Sequence, residues 1–455
     1  MENNRIATMP MKKLVLSSSI PVMFSLALQA VYNIVDSIFV SNMDANGEEA
    51  LNALTLAFPV HMFIVAICIG TGVGASVLVS RYLGERNTEK TKAVTKNTVF
   101  LGLILTTIIV LFGVFCTEFY IGSQTVNPII YEMGVQYLRI TCIISFGSVY
   151  FAVFEKLLQS TGHSLYSTIA QVTGSIVNII LDPIMIYGWF GVTAMGVRGA
   201  AYATVIGQTC AFLLAYHFHR KYNQHISDSF KGFRPDCNII RKIYVLGFPA
   251  IVAQALISIM AYCLNVIFVL ASESFVTVYG LYYKIQQFVI MAIFGLRDAT
   301  MPIVSFTYGS KNKERMKECI KYLFIYALSI TLIGTILFEL FAVQIASAFG
   351  LSGTTMELCI KAIQIVSLSF VFVGINVASQ TVFQSVGSGV ESLVVSFLRQ
   401  IILVLPVAYG FTRLVMVHAD YSWSIWLTFI IAEGLTAIVS IIYIKGIYAK
   451  KINTM

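Results

Sequence analysis

The sequence predicts an all-α membrane protein, with twelve transmembrane helices in two pseudo-symmetric six-helix lobes. Three observations carry that expectation. The chain has 455 residues, 57% of them hydrophobic and only 11% charged, whereas soluble domains carry about 25% charged residues. Its apolar runs reach the roughly 20 residues needed to cross a bilayer. Short polar motifs also recur in the same order in both halves, as they do in a duplicated unit.

Twelve apolar runs lie near 14–41, 52–80, 94–116, 134–158, 165–189, 197–218, 244–271, 276–305, 320–346, 358–383, 392–415 and 423–445. The first follows Lys12-Lys13 and reaches Ala27-Leu-Gln-Ala30, which mimics a leader peptide. It continues through Tyr32 to Val40, however, and its pattern returns in the second half. It is therefore expected to be a retained span.

The repeats fix the domain plan. Asp36-Ser-Ile-Phe-Val40 resembles Asn265-Val-Ile-Phe-Val269, with Pro21 and Pro249 upstream. The stretch Ser80-x3-Gly84 into Lys90 matches Ser305-x3-Gly309 into Arg315, and Gln159-Ser-Thr-Gly162 matches Gln384-Ser-Val-Gly387. Six spans per half keep both copies in one orientation, related by an axis along the membrane normal. The expected division is 1–218, a cytoplasmic linker at 219–243, and 244–455.

A net charge of +8 raises nucleic acid as a partner, but its distribution argues otherwise. Of 30 Lys and Arg residues, 24 fall on the side of the two termini, Lys156 and Arg399 among them. Only Arg198, Lys361 and Arg413 fall opposite. The positive-inside rule then puts both termini in the cytoplasm of a multi-pass plasma-membrane protein. Expected partners are the lipid bilayer and small organic cations, not nucleic acid, and the expected state is a monomer.

Several motifs point away from other chemistries. Gly70-Thr-Gly-Val-Gly74 sits within a span, where close helix packing is expected rather than a nucleotide loop. No G-x-x-x-x-G-K-[ST] motif signals an ATP-driven pump. The eight cysteines form no C-x-x-C pair and read as small buried hydrophobes. The six histidines form no metal pattern, and His217 and His219 are placed at the basic linker. No paired catalytic groups mark an enzyme, and no cofactor is expected beyond H+ or Na+ as a coupling ion.

The polar residues inside the spans carry the functional argument. Asn178 and Asp182 lie four apart, on one helix face ahead of Pro183. A carboxylate in lipid costs about 2.5–3.5 kcal/mol, so it turns inward and marks an ion path or a structural contact. Pro183 removes a backbone donor and favours a bend. Gln29, Asn33 and Asp36 form a second stripe, and Glu155 with Gln159 a third. Tyr32, Tyr150, Phe151 and Phe154 supply aromatic surface for a cation, and Met291 an adaptable contact. Arg297 and Asp298, adjacent on a helix, are expected to find other partners.

The chain resembles the multidrug and toxic compound extrusion (MATE) family, of the bacterial drug-exporting type. The residues are Pro21 with Asp36, Pro59, Ser80-x3-Gly84, Gln159-Ser-Thr-Gly162, Asn178-x3-Asp182-Pro183 and Gly196-x2-Gly-Ala-Ala201. The resemblance implies two lobes around a central cavity. It also implies efflux of organic, mainly cationic compounds in exchange for H+ or Na+, by alternating access. Asp36, Asp182 and Asn178 match the family's ion-coupling positions, and Glu155 an acid of a drug-exporting branch. Where another branch places second-lobe acids, this chain has Asn265, Gln254, Asn376 and Gln380, and the last two are kept as substrate-contact candidates. Across the repeat, Asp36 corresponds to Asn265, Glu155 to Gln380 and Asp182 to Leu405, so titration is expected in the first lobe. An alternative of the same architecture is a lipid-linked oligosaccharide flippase, which needs more intramembrane basic residues than Arg139, Lys284 and Arg297.

Overall fold

The computed structural model describes residues 5–43, 46–223, 226, 233–348 and 353–455. The side chain of Asn33 and residues 224, 225 and 227–232 of the expected linker lie outside the described residues. The first half contains α1 (Arg5–Thr8), α2 (Met11–Ser41), α3 (Gly47–Gly84), α4 (Thr88–Phe115) and α5 (Thr117–Gly122). It continues with α6 (Pro128–Ile143), α7 (Phe146–Ser160), α8 (Ser164–Tyr187) and α9 (Val197–Tyr222). The second half contains α10 (Cys237–Val269), α11 (Glu273–Gly309), α12 (Lys313–Ala348), α13 (Gly353–Ser367) and α14 (Phe370–Ser385). A π-helical turn, Leu398–Ile402, joins α15 (Gly389–Phe397) to α16 (Val404–Val417), and α17 (Leu427–Ile447) follows.

Among the described residues, ten helical stretches are long and apolar enough to cross a bilayer. The pairs α6–α7 and α13–α14 reach that length only together, bent by 48° and 44°. Counting each pair as one span gives the twelve expected. The structure thus breaks the fourth and tenth spans, while α8 runs on as one helix through Pro183 to Tyr187. It ends at Gly188, whose φ of +80° suits glycine.

The chain forms two compact units. One takes in α1 and Phe24–Phe248, the other Met9–Met23 and Pro249–Met455. The chain therefore changes unit inside α2 and again inside α10, close to Pro21 and Pro249. In the first unit, Gly70 and Gly74 of α3 meet α10 backbone to backbone. A Cβ on Gly74 would lie 2.0 Å from the Ile243 carbonyl oxygen, and one on Gly247 would lie 2.0 Å from that of Gly70. The expected close packing at this motif is present. The second unit has a matching contact, where Gly295 abuts the backbone of Met23.

The duplication reaches individual hydrogen bonds. The Ser80 hydroxyl donates to the Ser160 carbonyl at 2.8 Å, and the Ser305 hydroxyl to the Ser385 carbonyl at 3.4 Å. Asn87 caps α4 by accepting from the Lys90 N–H, and Asn312 caps α12 by accepting from the Arg315 N–H, both at 3.0 Å. Capping of this kind satisfies a donor the helix cannot. Left-handed Arg86 and Lys311 precede these caps.

The second unit carries a polar network as well as an apolar core that includes Phe268, Tyr282, Phe370 and Trp426. Arg399, on the π-helical turn, donates to Glu433 Oε1 from Nε at 3.0 Å and Nη2 at 2.8 Å. Asn376 Nδ2 donates to Glu433 Oε2 at 2.7 Å, and Asn376 Oδ1 accepts from Ser440 at 2.8 Å. Arg399 is therefore held in a network between helices, joining the π-helical turn to α14 and α17. On α11, Arg297 Nε donates to its neighbour Asp298 at 2.8 Å, with its guanidinium 4.3 Å over the Phe294 ring. This corrects the expectation that adjacent residues find other partners, because the arginine stem is long enough to fold back. His217 and His219 fall inside α9, and His219 is buried against Phe154.

Gly74→Ala or Gly247→Ala is expected to cost about 2–4 kcal/mol, read as a lowered unfolding temperature in detergent. Gly280→Ala, with open space around it, is expected to leave that temperature unchanged or slightly raised. Glu433→Leu strands the largely buried Arg399 and is expected to cost about 3–5 kcal/mol, with much of that loss recovered in Glu433→Leu/Arg399→Met.

Candidate functional site

The first unit places its acids by helix periodicity. On α8 the buried residues Gln171, Ser175, Asn178 and Asp182 share one face. Asp182 is fully buried, and its Oδ1 accepts from Asn178 Nδ2 at 3.3 Å. On α2, Asp36 is 9% exposed. Asp36 and Asp182 lie close enough to repel when both are ionised. Among the described residues, Asp36 Oδ1, Asp182 Oδ2 and Asn178 Oδ1 are buried without a hydrogen-bonding partner. Unpaired buried oxygens are costly, so a proton or cation there would relieve several acceptors at once.

Tyr32 and Tyr137 complete the surroundings, each within electrostatic reach of both carboxyl groups. Next to them lies a cavity of ≈ 70 Å³ lined by Gln29, Tyr32, Phe151, Gln171, Gly174, Ser175, Asn178, Thr204, Gly207, Gln208 and Ala211. Gln171 Nε2 donates to Gln29 Oε1 at 2.9 Å, which ties α8 to α2. Gly174 and Gly207 bring α8 and α9 into backbone contact, since a Cβ on either would lie 2.6 Å from the other's carbonyl oxygen. A polar space of this size suits water or a small ion. A larger groove of ≈ 430 Å³, between α3, α4 and α5, is lined by Pro59, Phe63, Ile67, Leu105, Phe112 and other apolar groups. It offers no carboxyl group for an ion.

The structure therefore brings together Asp36, Asp182, Asn178, Gln29, Tyr32 and Phe151. The remaining candidates stand elsewhere. Gln159 Nε2 donates to Glu155 Oε1 and Lys156 Nζ to Gln159 Oε1, both at 3.0 Å. The buried Lys156 stem crosses Gly72 of α3. Tyr150 and Phe154 pack with Phe146, Phe212 and Tyr216 between α7 and α9, and neither lines the cavity that Phe151 borders. In the second unit Asn376 belongs to the Arg399–Glu433 network, and Gln380 donates to Ser396 at 2.8 Å. Met291 is half-buried on α11.

Four contributors escaped sequence reasoning: Gln171, Thr204, Gln208 and Tyr137. Gln171 could have been found by extending the Asn178–Asp182 stripe back two turns. Thr204 and Gln208 form a four-residue pair on α9, but nothing in their spacing alone tells them from ordinary polar residues.

The comparisons with known proteins bear on this arrangement. The MatE family model matches residues 21–184 and again 249–410, once in each half. Multidrug export protein MepA of Staphylococcus aureus (strain MRSA252) is 23% identical over 435 residues, covering 96% of this chain and 94% of its own. The Staphylococcus saprophyticus protein of the same name is 24% identical over 398 residues, covering 86% and 85%. A multidrug resistance MATE family transporter of the MOP superfamily, solved outward-facing, superposes with a TM-score of 0.91 at 26% identity over 100% of this chain and 99% of that one. A MOP superfamily transporter from Pyrococcus furiosus, described as having a binding pocket of reverse polarity, gives 0.88 at 27% identity over 98% of both chains. With the family model matched in both halves, over more than two-thirds of its length, the chain belongs to the MatE family.

Proposed function

We propose that this protein is a multidrug exporter of the plasma membrane, moving organic, mainly cationic compounds outward in exchange for H+, with Na+ as the other candidate ion. The names of the relatives support export of drugs. The observation that carries the coupling is the pair Asp36 and Asp182, buried together with oxygens left unpartnered. Protons or a cation would neutralise that pair. Asn178 would serve either state, because an amide both donates and accepts.

Coupling then follows from charge. With the pair ionised, a cationic solute is attracted towards the first unit. Proton entry removes that attraction and weakens binding, so the two ligands oppose each other. Gln29, Tyr32 and Phe151 border the cavity and would meet the solute or its water. Glu155 and Gln159, tied to Lys156, would hold α7 rather than touch the solute. Asn376 and Gln380 would hold the second unit together. Transport by alternating access, with both termini cytoplasmic, completes the proposal, and no catalytic step is part of it.

Efflux of a cationic dye from proteoliposomes tests this, with proton and sodium gradients imposed separately. Asp36→Asn and Asp182→Asn are each expected to lower gradient-driven efflux by about 5- to 150-fold, the usual span of coupling between two sites. Gln159→Ala is expected to leave coupling intact. Undiminished efflux in both Asp variants would defeat the assignment. Dye binding to the unmodified protein is expected to strengthen as pH rises, since the ionised pair attracts the cation. That slope should vanish in the double variant.

A further inference from the structure

The start of α2 belongs to the second unit and is fastened to the start of α12. Arg315 Nη2 donates to the Met9 carbonyl at 3.0 Å, and the Tyr326 hydroxyl to the Lys12 carbonyl at 3.3 Å. Around this junction Lys12, Lys13 and Lys321 are exposed. Beside them the rings of Tyr322 and Tyr326 stack with centroids 6.0 Å apart and 25° between planes. Further along the same two helices the exposed surface turns apolar, through Leu16, Ile20, Ile325 and Leu332. The acids nearby are Glu314, which engages Lys317 at 3.5 Å, and Glu318, one turn before Tyr322.

The order along the helices is thus lysines, then a tyrosine pair, then bare apolar surface. Tyrosine settles at the headgroup level of a bilayer, and lysine clusters flanking spans attract anionic lipid. We propose that Lys12, Lys13 and Lys321, with Tyr322 and Tyr326, form a binding site for the phosphate headgroup of an anionic phospholipid. Its acyl chains would run over Leu16, Ile20 and Ile325.

The duplication supplies an internal control. The corresponding place in the first unit has Lys96 on α4, with Arg241 and Lys242 at the start of α10. Asn97 and Leu101 stand where Tyr322 and Tyr326 stand in the second unit. Asn97 Oδ1 accepts from the Asp236 N–H at 3.0 Å instead. Charge is therefore present in both places, whereas the stacked tyrosines have no counterpart in the first unit among the described residues, where the nearby ring pair is Phe100 with Phe233, which lack a hydroxyl. A site made by basic residues alone would occur twice, and the tyrosine pair occurs once among the described residues.

Native mass spectrometry of the full chain, titrated with phosphatidylglycerol or phosphatidylcholine, tests this without any transport readout. Saturable preference for phosphatidylglycerol is expected. Lys12→Ala/Lys13→Ala/Lys321→Ala should weaken it about tenfold or more. Lys96→Ala/Arg241→Ala/Lys242→Ala should leave it within about twofold. Tyr322→Leu/Tyr326→Leu, which changes no charge, should also weaken it, and serves if the triple variant does not fold. Equal losses in the two triple variants, no loss from the tyrosine change, or equal displacement by inorganic phosphate would each overturn the proposal.

Discussion

The structure depends on one unfavourable arrangement: two carboxyl groups, on α2 and α8, buried in the first unit with acceptors left over. Such a pair is costly in a medium of low dielectric constant, and mutual repulsion adds to the cost. The surrounding helices hold it in place. Gly174 and Gly207 lock α8 against α9, and the Gln29–Gln171 hydrogen bond fixes α2 on α8. A site built this way is poised for a positive ligand, because its binding energy comes partly from relieving what the fold imposes.

The second unit manages charge in the opposite way. Glu433 is paired in charge with Arg399 and accepts a hydrogen bond from the Asn376 amide, so its carboxylate has both oxygens engaged. That network fills the region where Asn376 and Gln380 were expected to meet solute. The duplication has kept the framework, visible in the paired serine and asparagine hydrogen bonds, while the two interiors have diverged. One holds unsatisfied acid and the other a satisfied ion pair. The π-helical turn at Arg399 fits this specialisation, since such turns admit a side chain that a regular helix would aim elsewhere.

Much of this was legible in the sequence because it rests on pattern. The twelve spans follow from the length of apolar runs, the repeat from motifs recurring in order, and the stripes of α2 and α8 from residues three, four or seven apart. What escaped depends on which neighbour a face meets. Tyr150, Phe151 and Phe154 are equally aromatic, yet only Phe151 borders the cavity, because α9 covers the other two. Glu155, expected to meet solute, accepts from Gln159 and stands outside the cavity's lining, a position its helical spacing does not reveal. Arg297 and Asp298 were separated by a rule about helix faces that a long side chain does not obey. The breaks in the fourth and tenth spans fall at Ile144–Ser145 and Leu368–Ser369, which carry no breaking signal, whereas α8 continues through Pro183, which carries one.

The exchange of helix ends between the units has a consequence for how such a protein could arise or be divided. Gly70 and Gly74 are packed by Ile243 and Gly247, residues contributed by the other copy of the repeat. A polypeptide of half the length would leave those glycines facing nothing, and its own first turns would be without a seat. It could become whole only by trading those turns with a second molecule. Two separately expressed halves should therefore be found as an intertwined pair, or not be found folded at all.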